Sequence, residues 1–461
     1  MKIKFGTDGF RGYIGKDFTF ETATIVAKMA LSYFNNKKNT VAIGYDTRFL
    51  SKEVAEEISQ VASDFGYTAY LADTFVPSPA LSLITYLKRL SFGIMITASH
   101  NPPQFNGVKI KENFGGSALY ETVKRISKVR IKPVQLNGLI ENCFIKKYYF
   151  DYLKKIFPIS QIGSINIKVL VNPMFGAAQG YMTELFNETN ISITEINNII
   201  NPSFGGINPE PTENNLLHTR EQLLKEKYQI AFAFDGDGDR IAAFDHKGAF
   251  YSTQKLLPLF MYYLIKKGEK GAVIKTVSTT SLLSIMAKKH NLPLKETPIG
   301  FKNIVPYFLS GEALIGGEES GGMAIKGYIP ERDGIYMALM ILKMLSEERK
   351  SLSEIYTEIE DIYGKLFFRR DDYSFSDEDN VRIILNQLDF DKIAGLKVME
   401  KNFMDGRKFI ISERSFLLVR VSGTEPVVRV YAESESEEKL QDIFYFIRKV
   451  LQEKGVNINH I

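Results

Sequence analysis

Phe92-Gly93-Ile94-Met95-Ile96 runs directly into Thr97-Ala98-Ser99-His100-Asn101-Pro102-Pro103. The first five residues form an apolar, β-branched run of strand length, which reads as a buried strand. The next seven place a serine just beyond that strand, with a histidine beside it and two prolines to stop the chain. Such a serine is well exposed for chemistry. A polar turn uses the same residue types, because Ser, Asn and Pro are ordinary turn residues. On this stretch alone both readings stand.

The flanking sequence places the strand in a layered fold. Thr40-Val41-Ala42-Ile43-Gly44 is another short apolar strand, and Ser51 then reads as the cap of a helix with Val54, Ile58, Val61 and Phe65 on one face. Tyr67 to Ala72 reads as the next strand. Strands alternating with amphipathic helices predict an α/β layer architecture with a mostly parallel sheet. A second round follows the helical, basic-aromatic segment Lys146 to Phe157. It holds a strand from Ile165 to Val171, ending in Asn172-Pro173-Met174-Phe175-Gly176-Ala177-Ala178, and a strand from Ile230 to Phe234 that ends in an acidic loop. A third round, Gly271 to about Tyr363, holds the strand Ala272 to Lys275, a helix from Ser281 to Lys289 and the strand Ala313 to Ile315. Three blocks of roughly 100 residues suggest three related modules without a strict sequence period.

From about Phe367 the pattern changes. Leu417 to Val421 and Val427 to Tyr431 read as two adjacent strands, and a helix from Glu437 to Glu453 carries Leu440, Ile443, Phe444, Ile447 and Leu451 on one stripe. This is a smaller α+β domain, with the polar stretch Asp371 to Asn380 as the expected linker region. The expected boundaries are 1–150, 151–252, 253–366 and 367–461.

Composition narrows the functional class. The chain of 461 residues is too long for one core, and its 44% hydrophobic and 24% charged content is ordinary for a globular protein. The 58 basic and 54 acidic residues leave a formal charge of +4, which gives no support for nucleic-acid binding. One cysteine, Cys143, excludes an intrachain disulfide and a multi-cysteine zinc site. No apolar run approaches the roughly 18 residues that span a bilayer, and MKIKFGTDGFRG lacks a signal-peptide core. The expectation is a cytosolic protein with neither a membrane nor a nucleic acid as partner. The sequence carries no signal for an oligomeric state.

Asp235-Gly236-Asp237-Gly238-Asp239-Arg240 is the second informative stretch. Three carboxylates at alternate positions, freed by two glycines, can turn together onto one hard cation. Counted from Asp235, the sixth and twelfth positions hold Arg240 and His246, so the helix-loop-helix calcium pattern fails. All-oxygen donors suit magnesium better than zinc and leave coordination room for a phosphate oxygen. Arg240 is placed to pair with the same phosphate. The competing reading is a solvated acidic turn.

Two more loops follow strands. Arg420-Val421-Ser422-Gly423-Thr424-Glu425-Pro426, with Arg429 beyond, offers hydroxyls, a glycine and two arginines as an anion cradle; the alternative is a tight turn with incidental arginines. Gly316-Gly317-Glu318-Glu319-Ser320-Gly321-Gly322 brackets two carboxylates and a hydroxyl with glycines, which suits a loop that hydrogen-bonds a polyol. No Walker-type nucleotide loop occurs.

With these four stretches in one order, the sequence resembles the α-D-phosphohexomutase family, which includes phosphoglucomutases and phosphomannomutases. The resemblance implies three related α/β domains with mixed sheets plus a smaller C-terminal α+β domain, arranged around a central cleft. It implies that Ser99 carries a phosphoryl group, and that Mg²⁺ is held by this group together with Asp235, Asp237 and Asp239. Glu318 and Ser320 match the sugar-hydroxyl positions. Arg420, Ser422, Gly423, Thr424 and Arg429 match the site for the phosphate that is not transferred. Lys109, in Gln104-Phe105-Asn106-Gly107-Val108-Lys109, matches a candidate general base. Arg11 matches an active-site arginine, and Lys302 looks like a substrate-facing residue of a further family loop. Gly322 stands where some relatives carry a sugar-loop histidine, so proton transfer rests on Lys109 and His100.

The implied reaction interconverts glucose 1-phosphate and glucose 6-phosphate through phospho-Ser99 and glucose 1,6-bisphosphate. Mannose phosphates are expected to react as well, because glucose and mannose differ at C2 while Glu318 and Ser320 would hold O3 and O4. Phosphoglucosamine mutase is the nearest alternative. A metal-dependent sugar-phosphate phosphatase and a silent sugar-phosphate-binding protein are the alternatives from other classes.

Overall fold

In the computed structural model, Phe92–Ile96 is a wholly buried strand. It pairs in parallel with Thr40–Tyr45, which pairs in parallel with Thr68–Ala72, and that strand with Leu139–Cys143. On its other side it pairs antiparallel with Phe105–Glu112, which in turn pairs antiparallel with Gly9–Tyr13. The sheet is therefore mixed rather than mostly parallel. The serine loop returns as a close connection between neighbouring strands, and its return strand sets Lys109 opposite Met95 and Gly9. The structure describes residues 3, 5–6, 9–35, 38–131, 137–375, 378–422, 427–454, 456 and 459–460.

The chain divides into two compact units. One comprises Met1–Thr253, Phe308–Gly311 and Ser320–Ser353; the other comprises Gln254–Tyr307, Glu312–Glu319 and Glu354–Ile461. The first unit holds the sheet just described and a five-stranded sheet. In that sheet Ile230–Phe234 pairs in parallel with Lys168–Asn172 and antiparallel with Ile241–Asp245. The acidic loop is thus the link between two buried, adjacent strands. Helix Gly334–Glu348 docks at this loop, because the Gly334 amide donates to the Gly238 carbonyl at 3.0 Å. A Cβ on Gly334 would lie 2.6 Å from the Arg240 carbonyl oxygen, so only glycine permits the approach.

In the second unit Ala272–Thr276 pairs in parallel with Leu294–Thr297 and with Ala313–Gly317. A separate antiparallel sheet contains Arg407–Ser412, Ser415–Val421, Val427–Ser434 and Phe367–Ser374. Helix Glu437–Glu453 covers it, burying Leu440, Ile443, Phe444, Ile447 and Leu451 as its stripe predicts.

Two local expectations are corrected. The stretch Asp371 to Asn380 is not a linker: Asp371–Ser374 completes a strand paired with Val427–Val430, and Glu378–Asn386 is a helix. Its charges misled because they pair with one another, Arg369 with Asp371 and Arg370 with Asp372. Nor does Ser51 cap its helix. Leu50, in the left-handed region at φ 64°, is the cap, and the Ser51 hydroxyl donates to buried Asp46 at 2.7 Å. Among the described residues no helix is long and apolar enough to cross a membrane.

Candidate active site

The expectation of a well-exposed serine is corrected: Ser99 is 2% exposed, because the acidic loop and Arg48 pack against its peptide, and it holds a left-handed backbone at φ 55°. That conformation is unfavourable for a residue with a Cβ and persists only where surroundings enforce it. Its amide donates to Thr97 Oγ1 at 2.8 Å, and its hydroxyl donates to Asp235 Oδ2 at 2.9 Å. The acidic loop reaches the serine because of Gly236, where a Cβ would stand 2.5 Å from the Ser99 carbonyl oxygen. Ser99 and the acidic loop thus meet within the first unit.

Asp235, Asp237 and Asp239 are all buried, and each offers one oxygen within 4.8 Å of the others. Lys109 Nζ lies 2.7 Å from Asp237 Oδ2 and 3.5 Å from Asp239 Oδ2. Ser78 Oγ donates to Asp237 Oδ2 at 2.5 Å, and Arg332 Nη2 lies 2.7 Å from Asp239 Oδ2. Burial, then repulsion from Asp239 and Asp237, pushes the Asp235 carboxyl well above the usual carboxylate range. Burial acts the same way on Asp237, but the Lys109 charge and hydrogen bonds from Lys109 and Ser78 outweigh it and hold that group low. Asp237 Oδ1 and Asp239 Oδ1 are buried with no hydrogen-bond partner. Buried carboxylate oxygens left without donors are costly, and a hard divalent cation is the natural acceptor of such lone pairs. The donor set fits Mg²⁺.

Three other expected residues of this unit lie near the serine. His100 is neutral at ordinary pH: burial, then Arg240, Arg11 and Lys109, depress its protonation well below the usual imidazole range. Arg11 Nη1 donates to Asn101 Oδ1 at 2.7 Å, so it braces the serine loop. Arg240 gives its backbone amide to Asp235 Oδ1 at 3.0 Å and its Nη1 to Glu210 at 2.8 Å. Gly321, at φ 107°, packs on the Arg240 side chain, and Ser320 before it is half-buried.

The second unit holds the remaining expected residues. Glu318 directly follows strand Ala313–Gly317 and is buried, while Glu319 is taken up by Arg370 at 3.0 Å. Lys302 sits half-buried on the short helix Phe301–Asn303. Arg420 and Arg429 are cross-strand partners, with Arg420 Nε 3.2 Å from Asp405 and Arg429 Nε 3.4 Å from Asp372. Ser422 is buried. Gly423 and Thr424 lie outside the described residues.

Four consecutive family descriptions match the chain. Residues 2–132, 147–248 and 252–363 match the phosphoglucomutase/phosphomannomutase alpha/beta/alpha domains I, II and III, and 349–450 the C-terminal domain of that family. The chain belongs to the phosphoglucomutase/phosphomannomutase family. Members are phosphohexomutases, which are phosphotransferases, and the four-domain fold with mixed sheets is the family's. The chain is similar to a phosphoglucosamine mutase of Dictyoglomus turgidum, 29% identical over 94% of this chain and 95% of that one. A phosphoglucomutase/phosphomannomutase of Thermococcus kodakarensis is 27% identical over 97% and 98%. The crystal structure of a Thermus thermophilus protein, provisionally named a phosphomannomutase, superposes with a TM-score of 0.87 at 31% identity, covering 98% of this chain and 99% of that one.

Sequence reasoning missed Ser78, Glu210 and Arg332 as partners of Asp237, Arg240 and Asp239. Ser78 carried a weak signal, lying between two prolines where a helix begins. Glu210 and Arg332 carried none, since a single charged residue in a loop has no local signature of its distant partner.

Proposed function

We propose that this phosphohexomutase interconverts glucose 1-phosphate and glucose 6-phosphate, and the mannose pair, through phospho-Ser99 and a hexose 1,6-bisphosphate. The observation that carries the reading is the Ser99 hydroxyl, 2.9 Å from one of three buried carboxylates that leave two oxygens without donors. Asp235, Asp237 and Asp239 would hold Mg²⁺, which when bound supplies positive charge against the transferring phosphoryl group. Ser99 offers the oxygen that carries the phosphoryl group, held in place by its fixed peptide.

Lys109 is the proposed acceptor of the sugar hydroxyl proton, with His100 second. Lys109 is buried and shared between Asp237 and Asp239. Arg11 and Arg240 supply fixed positive charge beside the serine. Glu318, Ser320 and Lys302 are the residues proposed to bind the sugar. Arg420, Ser422, Gly423, Thr424 and Arg429 are proposed to bind the phosphate that stays in place. A bisphosphate that must turn over between two transfers needs one such site tolerant of both ends. Glucose 1,6-bisphosphate is the proposed activator and the cytoplasm the proposed compartment.

A second reading, glucosamine phosphate as the preferred substrate, is favoured by the names of relatives such as those of Dictyoglomus turgidum and Campylobacter curvus, both phosphoglucosamine mutases. A coupled assay with catalytic bisphosphate, run side by side on glucose, mannose and glucosamine 1-phosphates, separates these readings. Release of inorganic phosphate in place of the isomeric sugar phosphate would make the protein a phosphatase. Ser99→Ala is expected to abolish turnover on every sugar, and retention of most of it would refute the phosphoserine scheme.

A further inference from the structure

The back of the serine loop is held by one side chain that the reaction scheme does not use. Arg48 follows strand Thr40–Tyr45 and is 3% exposed. Its Nη2 donates to the carbonyl oxygens of Ser99 and Asn101 at 2.5 and 2.6 Å. Its Nη1 donates to those of Pro102 and Phe105 at 2.9 and 3.0 Å. Its Nε lies 3.3 Å from Asp46 Oδ2, and the guanidinium stacks 4.8 Å from the centre of the Phe204 ring. Four N–H groups of one planar fork thus meet four loop carbonyls, a pattern that the three donors of a lysine cannot reproduce.

Asp46 closes the arrangement. Thr97 Oγ1 donates to Asp46 Oδ2 at 2.5 Å and accepts the Ser99 amide at 2.8 Å. The N–H of Ser99 is therefore tied to Asp46 through Thr97, and its C=O is tied to Asp46 through Arg48. This accounts for a left-handed serine: both peptide groups flanking Ser99 Cα are clamped from the buried side, leaving the hydroxyl toward Asp235.

We propose that Arg48, anchored by Asp46, is a positioning residue that sets the phosphoryl-carrying serine against the acidic triad. The proposal rests on Ser99 as the phosphoryl carrier. Arg48 is buried with its guanidinium committed to loop carbonyls; it acts on where Ser99 Oγ stands. Displacements of about 1 Å at a reacting atom cost on the order of 10²-fold in rate.

The test compares Arg48→Ala and Arg48→Lys with the wild type in the full-length protein. For Arg48→Ala, kcat on the hexose 1-phosphate is expected to fall by about 10²-fold with KM little changed, since the substrate-binding groups are untouched. Added guanidinium ion, at concentrations that do not unfold the protein, is expected to restore part of kcat. Hydrogen exchange is expected to quicken at the amides of residues 99–101 and 104 and not across the neighbouring strands. Arg48→Lys is expected to lose kcat at unchanged KM and is the variant to read should the alanine form not fold. Wild-type kcat in either variant would overturn the proposal. A loss that tracks unfolding in both, with no guanidinium response and no localised exchange, would do the same. If intact mass shows that wild-type Ser99 accepts no phosphoryl group from hexose 1,6-bisphosphate, the phosphoserine reading fails. Localised exchange at the loop would then still report the clamp.

Discussion

Replacing Lys111 by methionine removes one half of a fully buried ion pair, and the cost follows from what remains. Lys111 and Glu331 are both 0% exposed, with Lys111 Nζ 2.5 Å from Glu331 Oε2. The carboxylate also accepts from Ser82 at 2.8 Å and from Ser117 at 3.2 Å. Burial alone would raise the Glu331 carboxyl, but Lys111 and then Arg332 hold it below its ordinary value. Without the ammonium, two hydroxyls, the Arg332 amide and the nearby Arg332 charge remain to compensate a desolvated carboxylate, and breaking a buried pair in this way costs about 3–5 kcal/mol. Removing both charges, in Lys111→Met with Glu331→Leu, is expected to recover most of that loss, because no unpaired charge is left. Function should follow stability here. Glu331 Oε1 accepts the Arg332 amide at 3.1 Å, and Arg332 faces Asp239, so Lys111→Met should also raise the Mg²⁺ concentration needed for half-maximal activity. Urea titration by far-ultraviolet circular dichroism measures the first effect; the chain has no tryptophan to report it. At lower pH Glu331 protonates in the variant and the penalty should shrink. A cost below about 1 kcal/mol, or single costs that simply add in the double variant, would refute the reasoning.

Gly236→Ala is expected to lower kcat by at least about 10-fold through misplacement of Ser99 against Asp235, since its Cβ would stand 2.5 Å from a backbone oxygen that cannot swing away; steady-state kinetics check it, and wild-type kcat would contradict it. Buried Asp333 is pushed by burial up to about 6, against hydrogen bonds from the Tyr336 amide and the Tyr328 and Tyr149 hydroxyls. A carboxyl whose folded value is raised contributes stability that is complete below its unfolded value and is lost as pH rises through its folded value. Stability should therefore decline by up to about 3 kcal/mol between roughly pH 4 and 6 from this group, and Asp333→Asn should flatten that part of a urea-midpoint profile.

The strands and helices legible from sequence were those whose burial is written in local pattern. Phe92–Ile96, Ile230–Phe234 and Glu437–Glu453 have the bounds their apolar periodicity predicts, because a buried face leaves the same period on every residue that lines it. The strand Phe367–Ser374 was illegible for the opposite reason. Its run Arg369-Arg370-Asp371-Asp372 reads as solvated chain, and only pairing with Val427–Ser434 makes it part of a sheet.

By itself the sequence determined the chemistry on offer: a serine at the end of a buried strand, three alternate carboxylates freed by glycines, and loops of hydroxyls and arginines. Composition and spacing suffice there because each group lies within a few residues of the next. Only the tertiary structure decided which groups meet. Ser99 reaches Asp235 across 136 residues and Lys109 reaches Asp237 across 128. The side chains that hold this meeting in place, Arg48, Ser78, Glu331 and Arg332, carry no motif. A buried polar group must find its partner wherever the fold brings one, and that partner is set by strand order and loop packing rather than by neighbours in the chain.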